Sequence, residues 1–253
     1  MLILILILII FIILIVKTNK SKNIERFINS QNYRIFCINM EKSKDRWQFI
    51  KNNCNQQFID IQRFPAYNGK KINIPKLINN NYLKYRNSLE YGQIGCAYSH
   101  IKLWEKCLKL PYKYFIILED DTIIPNKFKE KINCIIENSP KIWDIIYLGG
   151  CYVKGKLVNK QFIKPTSLYG KYNLCTHAYI INKKSIPKLL KKMKPIEYPI
   201  DNQLRQYYKD LDVYFYYKNI VKQNNNFKTT IAEKKRLDKH TIFHKYSDTI
   251  EII

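Results

Sequence analysis

Tyr114-Phe115-Ile116-Ile117-Leu118-Glu119-Asp120-Asp121 is the stretch on which the fold turns. Five apolar residues without a polar break have the length and composition of a β-strand covered on both faces. Three acids follow at once, and their charges repel. In open α/β sheets ligands bind in the crevice outside the carboxyl ends of the strands, so acids in that place belong to a candidate site. A hard divalent cation with oxygen ligands, Mn²⁺ or Mg²⁺, would neutralise them. On its own the triplet reads equally well as a solvated acidic turn that caps the next segment.

Working outward, apolar runs alternate with helical periodicity, the mark of an α/β domain. Ile94, Ala97, Ile101, Trp104 and Leu108 recur at three- and four-residue steps, so Glu90 to Leu110 is expected to be an amphipathic helix ending near Pro111. Arg34 to Ile38, Asp144 to Leu148, Ala178 to Ile181 and Val213 to Tyr217 read as strands; Asp45 to Lys51, Lys183 to Met193 and Asn202 to Tyr208 read as helices.

Leu2 to Val16 is unbroken Leu, Ile, Phe and Val, closed by Lys17, Lys20 and Lys22. Roughly 15 helical residues reach about 23 Å, short of a ~30 Å hydrocarbon core unless the bilayer thins and Lys17 snorkels. No small-x-small cleavage site follows Val16, so an uncleaved anchor is the expectation. The side of the membrane is left open. The organisation expected is a membrane anchor over 1–16, a polar stalk over 17–30, one catalytic-size domain over 31–223 and a basic, loosely held tail over 224–253.

With 46% hydrophobic and 14% aromatic residues in 253, one sizeable core can form. The net charge of +24, from 44 Lys and Arg against 20 Asp and Glu, attracts polyanions, nucleotide phosphates or an anionic membrane. No Arg-rich or aromatic-interleaved stripe accompanies it, so specific nucleic-acid binding is not expected. The seven cysteines form no C-x-x-C pair and no zinc-spaced cluster, which leaves their redox state open.

No G-x-x-x-x-G-K-[ST] loop, dinucleotide fingerprint or G-x-S-x-G elbow is present, against P-loop ATPases, Rossmann oxidoreductases and the commonest serine hydrolases. His100 on its helix is by spacing a structural residue, as are His177, His240 and His244. Asp201, after Pro199-Ile200, reads as a helix N-cap.

An ordered series adds what no single motif carries. It runs from the first strand through Asn39 and Arg46 to Phe64-Pro65-Ala66-Tyr67-Asn68-Gly69, then the block Leu89 to His100 with Trp104, then Leu118-Glu119-Asp120-Asp121. Trp143-Asp144 to Gly149-Gly150, Ala178-Tyr179-Ile180, Pro199-Ile200-Asp201 and Gln223 complete it. Over about residues 33 to 223 this series resembles glycosyltransferase family 25, the group of lipopolysaccharide galactosyltransferases and procollagen galactosyltransferase domains.

The resemblance implies a GT-A type nucleotide-diphospho-sugar transferase fold: α/β, with a mixed, mostly parallel sheet flanked by helices, here preceded by an N-terminal membrane helix. It implies metal-dependent, inverting transfer of a hexose, galactose or glucose, from a UDP-sugar to a hydroxyl of a glycan, lipid-linked or protein acceptor, with Mn²⁺ or Mg²⁺. Glu119 and Asp121 resemble the outer members of the family's D-x-D motif, Asp121 being the metal ligand. Asn39, Arg46 and His100 join them in the donor- and cofactor-binding set, His100 as a positioning group at the carboxyl end of the Tyr114 strand. Asp120 and Asp201 form the catalytic set, and Asp201 is either a second metal ligand or the base that takes the acceptor's proton. The chain departs from the pattern at Thr229-Thr230-Ile231, where the family often has Ser-Asp-Ile, and at Gln93, where it commonly has Glu. The competing reading is an inactive relative that binds sugar or a partner.

Overall fold

The computed structural model describes residues 32–84, 89–166, 172–227 and 249–253. The expected anchor over 1–16, the stalk over 17–30, Thr229 to Ile231 and most of the basic tail lie outside these residues. Among the described residues no helix is long and apolar enough to cross a membrane.

The decisive stretch forms strand β3 (Tyr114–Glu119), and Phe115, Ile116, Ile117 and Leu118 are all fully buried. Successive side chains point to opposite faces of a strand, and here both faces are covered. Phe115 and Ile117 enter one core with helix α3 (Tyr91–Leu108), through Ile101 and Trp104, and with helices α5 (Ile186–Met193) and α6 (Ile200–Gln206). Ile116 and Leu118 enter a second core with helices α1 (Lys44–Asn55) and α4 (Phe128–Glu137). A strand with no polar face requires this helix-sheet-helix sandwich.

β3 pairs in parallel with β1 (Tyr33–Asn39), which pairs in parallel with β2 (Ile61–Pro65). On its other side lies β8 (Ala178–Asn182), antiparallel, and beyond it β5 (Ile145–Tyr147) and β9 (Val213–Tyr216). The hairpin β6 (Val153–Val158) and β7 (Phe162–Pro165) and the edge strand β11 (Ile250–Ile252) complete the order β11-β6-β7-β9-β5-β8-β3-β1-β2. Followed through the pairings, all strands of this sheet run one way except β7 and β8, so it is mixed and mostly parallel. A separate two-stranded ribbon joins β4 (Thr122–Ile123) to β10 (Lys222–Gln223).

The strands expected at residues 34–38, 114–118, 178–181 and 213–217 form within a residue or two of those bounds. Asp201 is not the N-cap of its helix: Pro199 holds that place, and Asp201 sits in the first turn. Within the expected tail over 224–253, Asn224 to Phe227 contact the domain and Ile250–Ile252 form β11. Gln93 is the closing member of a capping box, its side-chain oxygen accepting from the Glu90 N–H at 2.9 Å. An amide serves that purpose as well as a carboxylate.

Two glycines let the loop after β2 press on α3. A Cβ on Gly95 would lie 2.6 Å from the Tyr67 carbonyl oxygen and 2.7 Å from the Gly69 nitrogen. Ser99, one turn further, accepts from the Tyr67 N–H at 2.8 Å and donates to the Gly95 carbonyl at 2.6 Å. Both obstacles at Gly95 are backbone and cannot swing aside. Gly95→Ala is therefore expected to cost ~1–3 kcal/mol by strain at a packed contact, read as a lower urea midpoint at unchanged slope. An unshifted midpoint would show that the approach is looser than described.

Candidate active site

The sheet delivers the acidic triplet to the rim of a cleft of about 460 Å³, lined by the end of β1 through Met40 and Lys42, the loop Ala66 to Lys70, the start of α3 and the acids Glu119 and Asp120. Each acid of the triplet is held by a different part of the chain.

Asp120 is buried and both its oxygens are taken. Asn39 donates to Oδ2 at 2.6 Å and Arg46 to Oδ1 at 2.8 Å. Arg63 donates in turn to the Asn39 oxygen at 2.7 Å, and the Arg46 guanidinium lies 5.1 Å from the centre of the Phe227 ring. Burial raises the Asp120 carboxyl even with Arg46 and Asn39 opposing. A carboxylate so fully engaged ties the triplet to β1 and α1.

Glu119 projects to the opposite side. Thr176 donates to its Oε1 at 2.9 Å, and His100 Nε2 stands 3.4 Å from the same oxygen. Burial would lift this carboxyl; His100, then His177 and Thr176, outweigh it and leave it below the usual range. Cys96, one helical turn before His100, brings its sulfur within 4.8 Å of the His100 and Glu119 donor atoms.

Asp121 is the last of the triplet in sequence and its least satisfied member in space. Gln223 on β10 approaches Oδ2 at 3.4 Å and the Asn224 N–H donates to the Asp121 carbonyl at 2.6 Å. Oδ1 is buried with no hydrogen-bond partner among the described residues. Burial, then Glu119 and Asp120, push its carboxyl up to about 7. A buried anion with an unpaired oxygen, beside two other carboxylates, is what a bound divalent cation would stabilise. That oxygen fits the metal that the sequence pattern implies.

Asp201 faces the same region from α6. Its oxygens accept from the Asn202 N–H at 2.8 Å and the Cys175 N–H at 3.3 Å, and burial raises its carboxyl against these bonds. Cys175 is bonded to Cys151 in a disulfide across 24 residues. The next two residues are Thr176, on Glu119, and His177, whose carbonyl accepts from the Glu119 N–H at 2.8 Å. His177 Nε2 also lies 3.1 Å from the Val221 carbonyl, closing the strap of residues 221–224 over the triplet. A side chain on Gly149 would collide with that His177 nitrogen, at 2.5 Å, and with the strap itself.

His100, Glu119 and Asp120 line the cleft, Asn39 and Arg46 bind Asp120, Asp121 follows it in the chain, and Asp201 is tied to the same region through Cys175 and Thr176, although the sequence spreads these residues over 163 positions from 39 to 201. Thr176, Cys96 and the disulfide were not selected by sequence reasoning. His177 was set aside with the other histidines. The i,i+4 spacing of Cys96 and His100 on a helix was the one signal available for that pair.

The pattern of glycosyltransferase family 25 (LPS biosynthesis protein) matches residues 32–204. A "Glycosyltransferase 25 family member" of Aedes aegypti is 28% identical over 182 residues, covering 67% of this chain and 30% of that protein. Procollagen galactosyltransferase 2 of Homo sapiens is 27% identical over 180 residues, 64% of this chain and 29% of that protein. The chain therefore spans about a third of the length of these relatives. A solved glycosyltransferase involved in glycosylation of the major capsid of PBCV-1 aligns with 63% of each chain at 12% identity and a TM-score of 0.36, a likeness too slight to carry weight. With the family's pattern laid over two thirds of its length, from the first strand to the helix of Asp201, the chain belongs to glycosyltransferase family 25.

Proposed function

We propose that this protein is an active, metal-dependent glycosyltransferase that moves a hexose, galactose or glucose, from a UDP-sugar to a hydroxyl of a glycan, lipid-linked or protein acceptor with inversion at the sugar carbon. The observation that carries this reading is the buried oxygen of Asp121, without a hydrogen-bond partner among the described residues, next in the chain to Glu119 and Asp120, which line the cleft. Asp121 and Asp201 are the residues that would hold Mn²⁺ or Mg²⁺. When bound, such a cation supplies Lewis-acid neutralisation of the charge that grows on a diphosphate leaving group.

The chain's own residues do the rest. Asn39 and Arg46 hold Asp120, which keeps the loop in register; Asp120 serves positioning better than proton transfer because neither oxygen is open. His100 and Thr176 orient Glu119 toward the donor. Tyr67 and Tyr91 line the cleft with Lys42 and Lys70, aromatic faces for a base and cations for phosphate. Asp201, its carboxyl raised by burial, is suited to take the proton of the acceptor hydroxyl. We further propose that residues 2–16 hold the enzyme at a membrane, since the described residues offer no other apolar span.

Asp121→Asn is expected to lower sugar transfer by more than ~10²-fold without lowering the thermal midpoint, assayed as UDP release from a panel of UDP-sugars with Mn²⁺. Near-normal turnover at saturating Mn²⁺ would sink the assignment, whereas retained donor binding without transfer in the wild type would make the chain a binding module.

The metal reading also has a pH sign. The Asp121 carboxyl is raised in the folded state, so its contribution favours folding at low pH and is lost as pH rises through about 7. Mn²⁺ binding to the ionised form should restore it. The rise in melting temperature on adding Mn²⁺ should accordingly be larger at pH 8 than at pH 5.5, and the pH dependence should vanish in Asp121→Asn; equal rises in the two proteins would count against a cation at Asp121.

Deleting residues 2–16 is expected to release a soluble enzyme that still transfers. If the truncated protein continues to sediment with membranes in high salt, the anchor lies elsewhere.

A further inference from the structure

Behind Glu119 stands a buried aromatic group that the site has so far used only as packing. Trp104, His100 and Tyr179 are 0%, 0% and 1% exposed. An indole nitrogen can only donate, and Trp104 Nε1 lies 2.8 Å from Tyr179 Oη, so that oxygen accepts. The Tyr179 hydroxyl then has one proton to place, and His100 Nδ1 is 2.8 Å away. A nitrogen that accepts carries no proton, so neutral His100 bears its own on Nε2. That nitrogen has no hydrogen-bond partner among the described residues, and Glu119 Oε1 stands 3.4 Å from it.

The same cluster has another possible use. Cys96, His100 and Glu119 offer sulfur, nitrogen and oxygen donors within 4.8 Å, a three-ligand set of the kind that holds zinc. To ligate a metal, Nε2 must surrender its proton and Nδ1 must take one. The Tyr179 hydroxyl, already accepting from Trp104, would then be buried with a proton and no acceptor, at the full cost of an unmade bond. The chain of donors therefore opposes the metal.

We propose that Tyr179 and Trp104 are positioning residues for glycosyl transfer: they lock His100 in its Nε2–H form, and His100 holds the Glu119 carboxylate in place at the donor cleft. The inference rests on Glu119 serving the donor; the tautomer itself does not.

Two measurements test it on the full chain. With ¹⁵N-labelled histidine, of which there are four, and the His100 signals assigned by their loss in His100→Gln, wild-type Nδ1 should be unprotonated and Nε2 protonated, with a mixture in Tyr179→Phe. Tyr179→Phe should lower kcat about tenfold, the worth of one hydrogen bond, with the acceptor KM changed less than about twofold. Glutamine has no tautomer to lock, so Tyr179→Phe should cost little further when added to His100→Gln, a coupling that packing loss alone would not give. A proton on wild-type Nδ1, additive losses in the double variant, or one-to-one Zn²⁺ uptake abolished by Cys96→Ser would each overturn the proposal. If no transfer is found with any donor, the functional reading fails while the tautomer still decides the lock.

Discussion

Three consecutive carboxylates at the end of a buried strand repel one another, and the fold is arranged around that repulsion. Charges taken out of water are stable only when paired or hydrogen-bonded. The chain meets this by sending each acid to a separate partner: Asp120 to Arg46 and Asn39, Glu119 to His100 and Thr176, Asp121 to the strap through Gln223. Of the three, Asp121 keeps an oxygen with no hydrogen-bond partner among the described residues, and burial with the two neighbouring carboxylates raises its carboxyl to about 7. Stability is given up there.

The reversed strand β8 makes this distribution possible. Because β8 runs against β3, its entry lies beside the end of β3, and the residues just before it, Cys175 to His177, arrive at the triplet. A parallel strand in that position would enter the sheet at the far edge and could not deliver them. The strap of residues 221–224 then covers the triplet from the other side, anchored on His177 and on β4.

Much of this was legible in the sequence, because burial writes itself in apolar patterns. Phe115 to Leu118 announce a doubly covered strand, and Ile94 to Leu108 announce a helix with one buried stripe. The hairpin of β6 and β7 did not announce itself: Lys154 and Lys156 alternate along β6, β7 is only four residues long, and the turn at Asn159 and Lys160, both with positive φ, lacks the usual glycine. Helix α4 was missed for a similar reason, its apolar Phe128, Ile132 and Ile135 being interleaved with charge. Thr176 and the Cys151–Cys175 bond were not legible, since hydroxyls and cysteines leave no periodic trace and their importance lies in what folds next to them.

That disulfide makes the support of the site a matter of maturation. Cys175 begins the run that holds both Asp201 and Glu119, so the geometry of two acids depends on a covalent bond made after synthesis. A thiolate is the species that attacks a disulfide, and a thiol held in its protonated form cannot scramble one. Burial raises the thiols of Cys37, Cys54, Cys96 and Cys107, that of Cys54 to about 12. These four thiols are thus held protonated in the folded protein, and among the free cysteines of the described residues Cys134 alone is exposed to solvent. Once closed, the bridge is guarded by the same exclusion of water that charges the site with strain between its acids.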